Sequence, residues 1–243
     1  MWWIVVVGAA CAGFVQGLSG FAFGLVAMSL WAWSLETQLA AVLTVFGALV
    51  GQVQAAVTLR RGRASLQLLW PFLIGGLLGL PLGVYLLPQV DMHWFKFGFG
   101  AFLVVWCSIM LTIAYIPPVR WGGTLFDAIA GGFGGVLGGL GGFTGPVPTL
   151  WCTLRGWPKD QQRAVIQNFN LVMLAVVMTS YLSTGIVTMA MVPMMVLVIP
   201  SVLIPVWLGG RLYFKMNEIQ FRRLVLGLLL LSGGTMIASA LRS

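Results

Sequence analysis

Two short glycine-rich phrases hold most of the residues that could bind a small ligand. Residues 17–21 read G-L-S-G-F, and residues 139–143 read G-L-G-G-F. Glycine inside a helix costs about 1 kcal/mol relative to alanine, so clusters this dense predict interrupted helices. In a membrane, interrupted backbone is tolerated only where it is buried in protein or lines a wet cavity. The phrases therefore indicate either a binding site built from exposed peptide groups or close helix packing, and the residues alone leave both open.

An anion is the ligand that such interruptions would suit. New helices are predicted to start near Phe23 and near Pro146, since proline is favoured in a first helical turn. The free N–H groups and the dipole of a helix N-terminus favour negative charge, and Ser19 and Thr144 would add hydroxyl donors. The candidate substrate-binding residues are those of the two breaks and nearby amide side chains: Gln16, Ser19, Gly20, Phe21, Phe23, Gly141, Gly142, Phe143, Thr144, Gly145, Asn168 and Asn170.

The residue types give little support for catalysis or metal binding. The chain has one histidine, five acidic residues and three cysteines without a C-x-x-C pair, so no nucleophile–base set or metal site is indicated. We expect no enzyme activity and no cofactor. Asp127 is the acidic residue that lies inside an apolar stretch, Gly123–Leu154. The preceding Thr124 predicts helix capping there, with proton transfer as the alternative.

Composition predicts that these residues sit in an all-α polytopic membrane protein. Of 243 residues, 60% are hydrophobic and only 7% are charged, and apolar runs recur from end to end. The net charge of +8 comes from basic residues between apolar segments. This pattern indicates membrane topology and argues against a nucleic-acid partner.

Two apolar stretches, Trp2–Trp33 and Gly123–Leu154, are too long for one span and too short for two. Each would measure about 48 Å as one helix, against about 30 Å of hydrocarbon. A re-entrant hairpin fits the first stretch: a half-helix in, a turn at Gly17–Gly24 and a half-helix back. A span followed by an interfacial helix stays open as the alternative. Three full spans follow each stretch, which predicts two repeats, residues 1–118 and 119–243.

The basic residues predict that the two repeats are inverted. If both hairpins re-enter, the loops at 60–63, 116–122, 155–163 and 209–223 all face the cytoplasm, as the positive-inside rule requires. The nearly uncharged loops at 34–37, 88–93 and 183–185 then face outward. An odd number of crossings per half inverts the halves, so the hairpin tips enter from opposite sides and meet near the midplane.

The second glycine phrase carries a resemblance to a known family. Residues 134–146 read G-G-V-L-G-G-L-G-G-F-T-G-P, and a polar turn and then Arg163-Ala164 follow. This is similar to the signature of the sulfite exporter TauE/SafE family, the toluene-sulfonate uptake permease group. Thr144 departs from it, because serine is expected before the Gly-Pro, although a hydroxyl is kept.

The resemblance implies a secondary carrier, in the inner membrane of a bacterium, for small sulfur-containing or organic anions such as sulfite, thiosulfate or sulfonates. The expected partners are the anion, membrane lipid and a coupling ion, either proton or sodium. Substrate, direction and oligomeric state stay open. Two alternatives are an anion channel on the same scaffold and a membrane subunit that transports nothing.

Overall fold

The computed structural model describes residues 2–58, 66–113, 117–119, 121–212 and 218–241. Every regular element in these ranges is helical, which confirms the predicted all-α class. The ten α-helices of the described ranges are α1 Trp2–Ser19, α2 Phe23–Trp31, α3 Thr37–Thr58, α4 Leu66–Leu86, α5 Met92–Thr112, α6 Gly123–Gly141, α7 Pro146–Leu154, α8 Lys159–Ser183, α9 Val192–Leu212 and α10 Glu218–Ala240. The arginines of the predicted cytoplasmic loop at 60–63 lie outside the described residues.

Helix length and composition make the chain a multi-pass membrane protein. Within the described ranges, seven helical segments are long and apolar enough to span a bilayer: Trp2–Ser19, Thr37–Val57, Leu66–Gln89, Met92–Thr112, Gly123–Gly141, Asp160–Ser183 and Met189–Leu212. A shorter apolar helix covers Val225–Ala240.

Both long apolar stretches break where the glycine phrases predicted. Helix α2 begins at Phe23 and α7 begins at Pro146, as expected. The breaks turn at Gly20 (φ +84°) and Gly142 (φ +78°), in the left-handed region that glycine enters without steric cost.

The prediction that each hairpin enters the membrane as a half-length helix is wrong. Helices α1 and α6 have 18 and 19 residues, about 27 and 28 Å at 1.5 Å per residue. The returning helices α2 and α7 have only nine residues each. No proline interrupts α1 or α6, and α6 stays helical through Asp127 and its glycine pairs.

Each pair of arms nevertheless folds back as a hairpin. The indole Nε1–H of Trp31, the last residue of α2, donates to Ile4 O near the start of α1 at 3.0 Å. In the second hairpin, Val119 N before α6 donates to Leu154 O at the end of α7 at 2.7 Å. Each hairpin therefore starts and finishes at the same end of the bundle, as a re-entrant segment does.

The helix pairs correspond between the two halves. Helix α1 packs along α9 as α6 packs along α4, and α3 contacts α9 as α8 contacts α4. Two further contacts, α3 with α8 and α5 with α10, each join the two equivalent helices of the halves. Exchanging α1–α5 with α6–α10 leaves this pairing unchanged, which two related halves would produce. The repeat boundary and the inversion stay predictions.

Candidate functional site

The two glycine breaks lie against each other in the centre of the fold. A β-carbon placed at Gly145 would lie 2.9 Å from Cβ of Phe21, and one at Gly24 would lie 3.0 Å from the carbonyl oxygen of Gly142. Any β-carbon at these two positions would push against the other tip, so glycine is the residue that fits this approach without displacing it.

A cavity of about 320 Å³ lies beside the first break, among α1, α3, α8 and α9. This volume is at the lower end of the range for small-molecule pockets. The polar and aromatic lining, together with the turn glycine, consists of Gln16, Gly20, Gln52, Gln167, Trp207 and Arg211.

Three glutamine amides form the inner wall of the cavity. Nε2 of Gln16 donates to Ala48 O at 2.9 Å, and Nε2 of Gln52 donates to Gly20 O at 2.7 Å, which fixes the turn. Gln167 is only 6% exposed, and its amide makes no hydrogen bond with the described part of the chain. Because Gln167 lines the cavity, its amide is placed to bond a ligand or water there.

An arginine stands at the mouth of the cavity. Arg211 lies in the last turn of α9, is exposed, and places its guanidinium 3.8 Å from the ring centroid of Trp207. The mouth thus lies at the end of the bundle where α3 and α9 finish, which is the cytoplasmic end in the predicted topology. A cation there raises the local concentration of anions.

Only part of the predicted site in the first break reaches the cavity. Gln16 and Gly20 line it. The Ser19 hydroxyl instead donates to Val15 O at 2.8 Å and accepts from the N–H of Ala22 at 3.1 Å. Phe21 also donates its N–H to Ser19 Oγ, at 3.4 Å.

The prediction that free backbone N–H groups bind an anion is therefore wrong at the first break. The Ser19 hydroxyl accepts from the N–H groups of Phe21 and Ala22 inside the turn. Its two phenylalanines serve packing. Phe21 meets the Trp106 ring edge-on at 6.1 Å, and the fully buried Phe23 packs on Trp31.

The second break is packed rather than hollow. Gly142 N donates to Gly138 O at 2.8 Å, and Phe143 stacks on Phe99 at 4.7 Å between ring centroids. The Thr144 hydroxyl donates to Asn170 Oδ1 at 2.8 Å, both residues being buried.

The remaining candidates of the second half also contact protein. Gly141 would place a β-carbon 2.7 Å from the Phe143 ring, and Gly145 one 3.0 Å from Asn170 Nδ2. Asn168 Nδ2 donates to Ala164 O of its own helix at 2.7 Å. None of these residues lines the cavity; those of the second break hold its tip against the first.

An ion pair closes the base of the second hairpin. Arg155 Nη1 lies 2.8 and 2.9 Å from the two carboxylate oxygens of Asp127, and the Trp151 indole donates to Oδ1 at 2.6 Å. Helix capping through Thr124 is wrong, because the N-cap of α6 is Gly122 without a side-chain bond. The 28-residue separation of Asp127 and Arg155 hid this pair from local sequence patterns.

Eight lining residues were absent from the predicted site, and four of them have polar or aromatic side chains: Gln52, Gln167, Trp207 and Arg211. The amides of Gln52 and Gln167 within apolar spans were the available signal, since polar groups at membrane depth are enriched at functional sites. The sequence around Trp207 and Arg211 does not indicate that they line a cavity, because the cavity lies among helices that are distant in sequence.

Comparison with known proteins agrees with the family resemblance. The family model described as Sulfite exporter TauE/SafE matches residues 5–236, a range that contains both glycine breaks and the whole cavity lining. Comparison with curated proteins and with solved structures gives no match. The chain therefore belongs to the sulfite exporter TauE/SafE family, a family of membrane transporters for sulfite and related anions.

Proposed function

We propose that this protein is a secondary carrier of small sulfur-containing or organic anions, such as sulfite, thiosulfate or sulfonates, and that it works by alternating access. The observation that carries the proposal is the cavity at the first break, where buried amides lie behind an exposed arginine. Oxyanions need hydrogen-bond donors when they leave water, and Gln167 supplies an amide without a protein partner among the described residues.

Different packing at the two ends of the bundle supports a carrier. When the halves are exchanged, the cavity among α1, α3 and α9 corresponds to the region among α6, α8 and α4. In that region Tyr181 is fully buried and its hydroxyl donates to Gly139 O at 2.6 Å. Access from one end with packing at the other is one state of an alternating-access cycle.

Counterflow in proteoliposomes tests the proposal. Purified protein is reconstituted, and uptake of labelled sulfite, thiosulfate and methanesulfonate is measured with and without proton or sodium gradients. A carrier shows saturable uptake that internal unlabelled substrate accelerates. A channel shows much larger flux without that acceleration, and a subunit that transports nothing gives the same signal as empty liposomes. Either of these two results would refute the proposal.

Gln167→Leu tests whether the cavity is the binding site. A hydrogen bond to a charged group is worth about 1.5–3 kcal/mol, so the variant should weaken anion binding by about ten- to hundredfold. Gln89→Leu is the matched control, because Gln89 is exposed and does not line the cavity. Equal affinities in both variants would place the site elsewhere.

A further inference from the structure

We infer that the cavity selects anions with a single negative charge, such as hydrogen sulfite and sulfonates, over dianions such as thiosulfate and sulfate. The inference rests on the proposed function and narrows its substrate class. It comes from the charges and hydrogen-bonding groups that line the cavity.

Among the described residues, the side chains that line the inner part of the cavity are uncharged. Gln16, Gln52 and Gln167 are neutral, and Arg211 is the one ionised side chain among the lining residues of the described chain. Arg211 is exposed at the mouth and lies over the Trp207 ring. A bound anion therefore meets amides and glycine backbone inside, and a cation only on its way in.

A neutral, buried lining penalises a second charge on the ligand. The free energy of moving an ion out of water rises with the square of its charge, so the Born penalty for a dianion is about four times that for a monoanion. Amide hydrogen bonds offset part of the penalty for one charge. The described lining contains no buried cation that would balance the larger penalty for two charges.

The hydrogen-bonding groups also match a monoanion. The amide of Gln167 combines two N–H donors with a carbonyl acceptor, so it can bond both an ionised oxygen and a protonated one, as hydrogen sulfite presents. A sulfonate carries an apolar substituent, and Val206 and Trp207 provide an apolar wall for it. A fully ionised dianion has no hydrogen-bond donor, so it cannot bond to the amide carbonyl.

Arg211 acts on both classes of anion. An exposed charge is screened within about 8 Å at physiological salt, so it guides anions to the mouth without setting the valence that the inner cavity accepts. Coulomb attraction scales with the charge of the ligand, so removing the Arg211 charge should weaken dianion binding more than monoanion binding, by an amount that screening keeps small.

The test compares inhibition of sulfite counterflow by methanesulfonate, a fixed monoanion, and by sulfate and thiosulfate, fixed dianions. Methanesulfonate should inhibit at concentrations at least about tenfold lower, equivalent to about 1.4 kcal/mol. Above the pKa of hydrogen sulfite, the apparent affinity for sulfite should fall about tenfold per pH unit as the monoanion disappears. The affinity for methanesulfonate should stay constant and controls for titration of the protein. Equal or tighter dianion binding, or pH-independent affinity for sulfite, would overturn the inference.

Charge variants locate the source of the preference. Gln167→Lys should shift the ratio of dianion to monoanion affinity toward dianions by about tenfold or more, whereas Gln89→Lys should leave it unchanged. Arg211→Gln should lower this ratio by no more than about threefold, because the exposed charge is screened, and this variant serves also if the lysine variant does not fold. A change of about tenfold or more in Arg211→Gln would show that the mouth sets the valence and would overturn the inference.

Failure of the charge preference can be told apart from failure of the carrier proposal. If no anion is transported under any gradient, the carrier proposal falls. Equilibrium binding of the same three anions to the detergent-solubilised protein still tests the preference directly. Equal binding of both classes, or binding of neither, would then refute it.

Discussion

The Asp127–Arg155 pair predicts that its two members are not equally replaceable. Asp127 is 2% exposed, whereas a quarter of the Arg155 side chain reaches the surface, with 24% relative exposure. Removing the arginine would leave a buried carboxylate with the Trp151 indole as its remaining hydrogen-bond partner among the described residues. Breaking a buried pair in this way lowers the free energy of unfolding by about 3–5 kcal/mol.

Removing the aspartate charge should be cheaper. In Asp127→Asn, Arg155 can turn toward solvent and still contact the Trp157 ring, which lies 5.1 Å from the guanidinium. An uncharged asparagine retains an acceptor for Trp151, so we expect a loss of about 1–1.5 kcal/mol. The double variant Asp127→Asn/Arg155→Gln leaves no charge at this pair of positions and should resemble Asp127→Asn alone.

Equilibrium unfolding of the purified protein in detergent measures these differences. We expect Arg155→Gln to lose at least about 2 kcal/mol more than Asp127→Asn, with strong coupling in the double-mutant cycle. Arg223→Gln is the matched control, since Arg223 is exposed and surface changes stay within about 0.5 kcal/mol. Equal losses in the two single variants, or additive losses in the double variant, would refute the reasoning.

Two further predictions concern the tips and the packed end of the bundle. Gly20→Val and Gly142→Val force a β-branched side chain into a positive φ. Each should abolish counterflow while circular dichroism stays helical, and Gly234→Val, with nothing within 4 Å of its β-carbon position, should leave transport intact. Tyr181→Phe removes the hydrogen bond to Gly139 O and should speed hydrogen–deuterium exchange at that end of α6 and α8. Unchanged transport in both tip variants, or unchanged exchange, would contradict the respective prediction.

The positions of the helix breaks were predictable because they depend on local chemistry. The chain turns at Gly20 and Gly142, whose positive φ angles glycine adopts without steric cost, and Pro146 suits a first helical turn. Glycine density alone does not end a helix, because α6 continues through the six glycines between residues 131 and 139. The unequal arms followed less readily from the sequence. Composition marks where a helix stops, but the contact of Trp31 with Ile4, which shows how far back α2 reaches, joins residues far apart in the chain.

The binding residues were only partly predictable, because side-chain direction decides their role. Ser19 has the hydroxyl that an anion site needs, yet the turn folds so that this hydroxyl caps the N–H of Ala22. Gln167 and Asn168 are neighbours of similar chemistry on α8. A helix turns by about 100° per residue, so Gln167 faces the cavity while Asn168 bonds Ala164 O of its own helix.

The two breaks are alike in geometry but differ in what surrounds them, and the proposed cycle accounts for this difference. A β-carbon at Gly20 would lie 3.1 Å from Gln167 Nε2, and one at Gly142 would lie 3.3 Å from Cγ2 of Thr44. Thr44 is fully buried, and its hydroxyl has no partner within the described chain, as expected for a polar group that a second state would expose. Opening that end requires Tyr181 to leave Gly139. Faster exchange in Tyr181→Phe would therefore identify the hydrogen bond between them as a contact that the alternate state gives up.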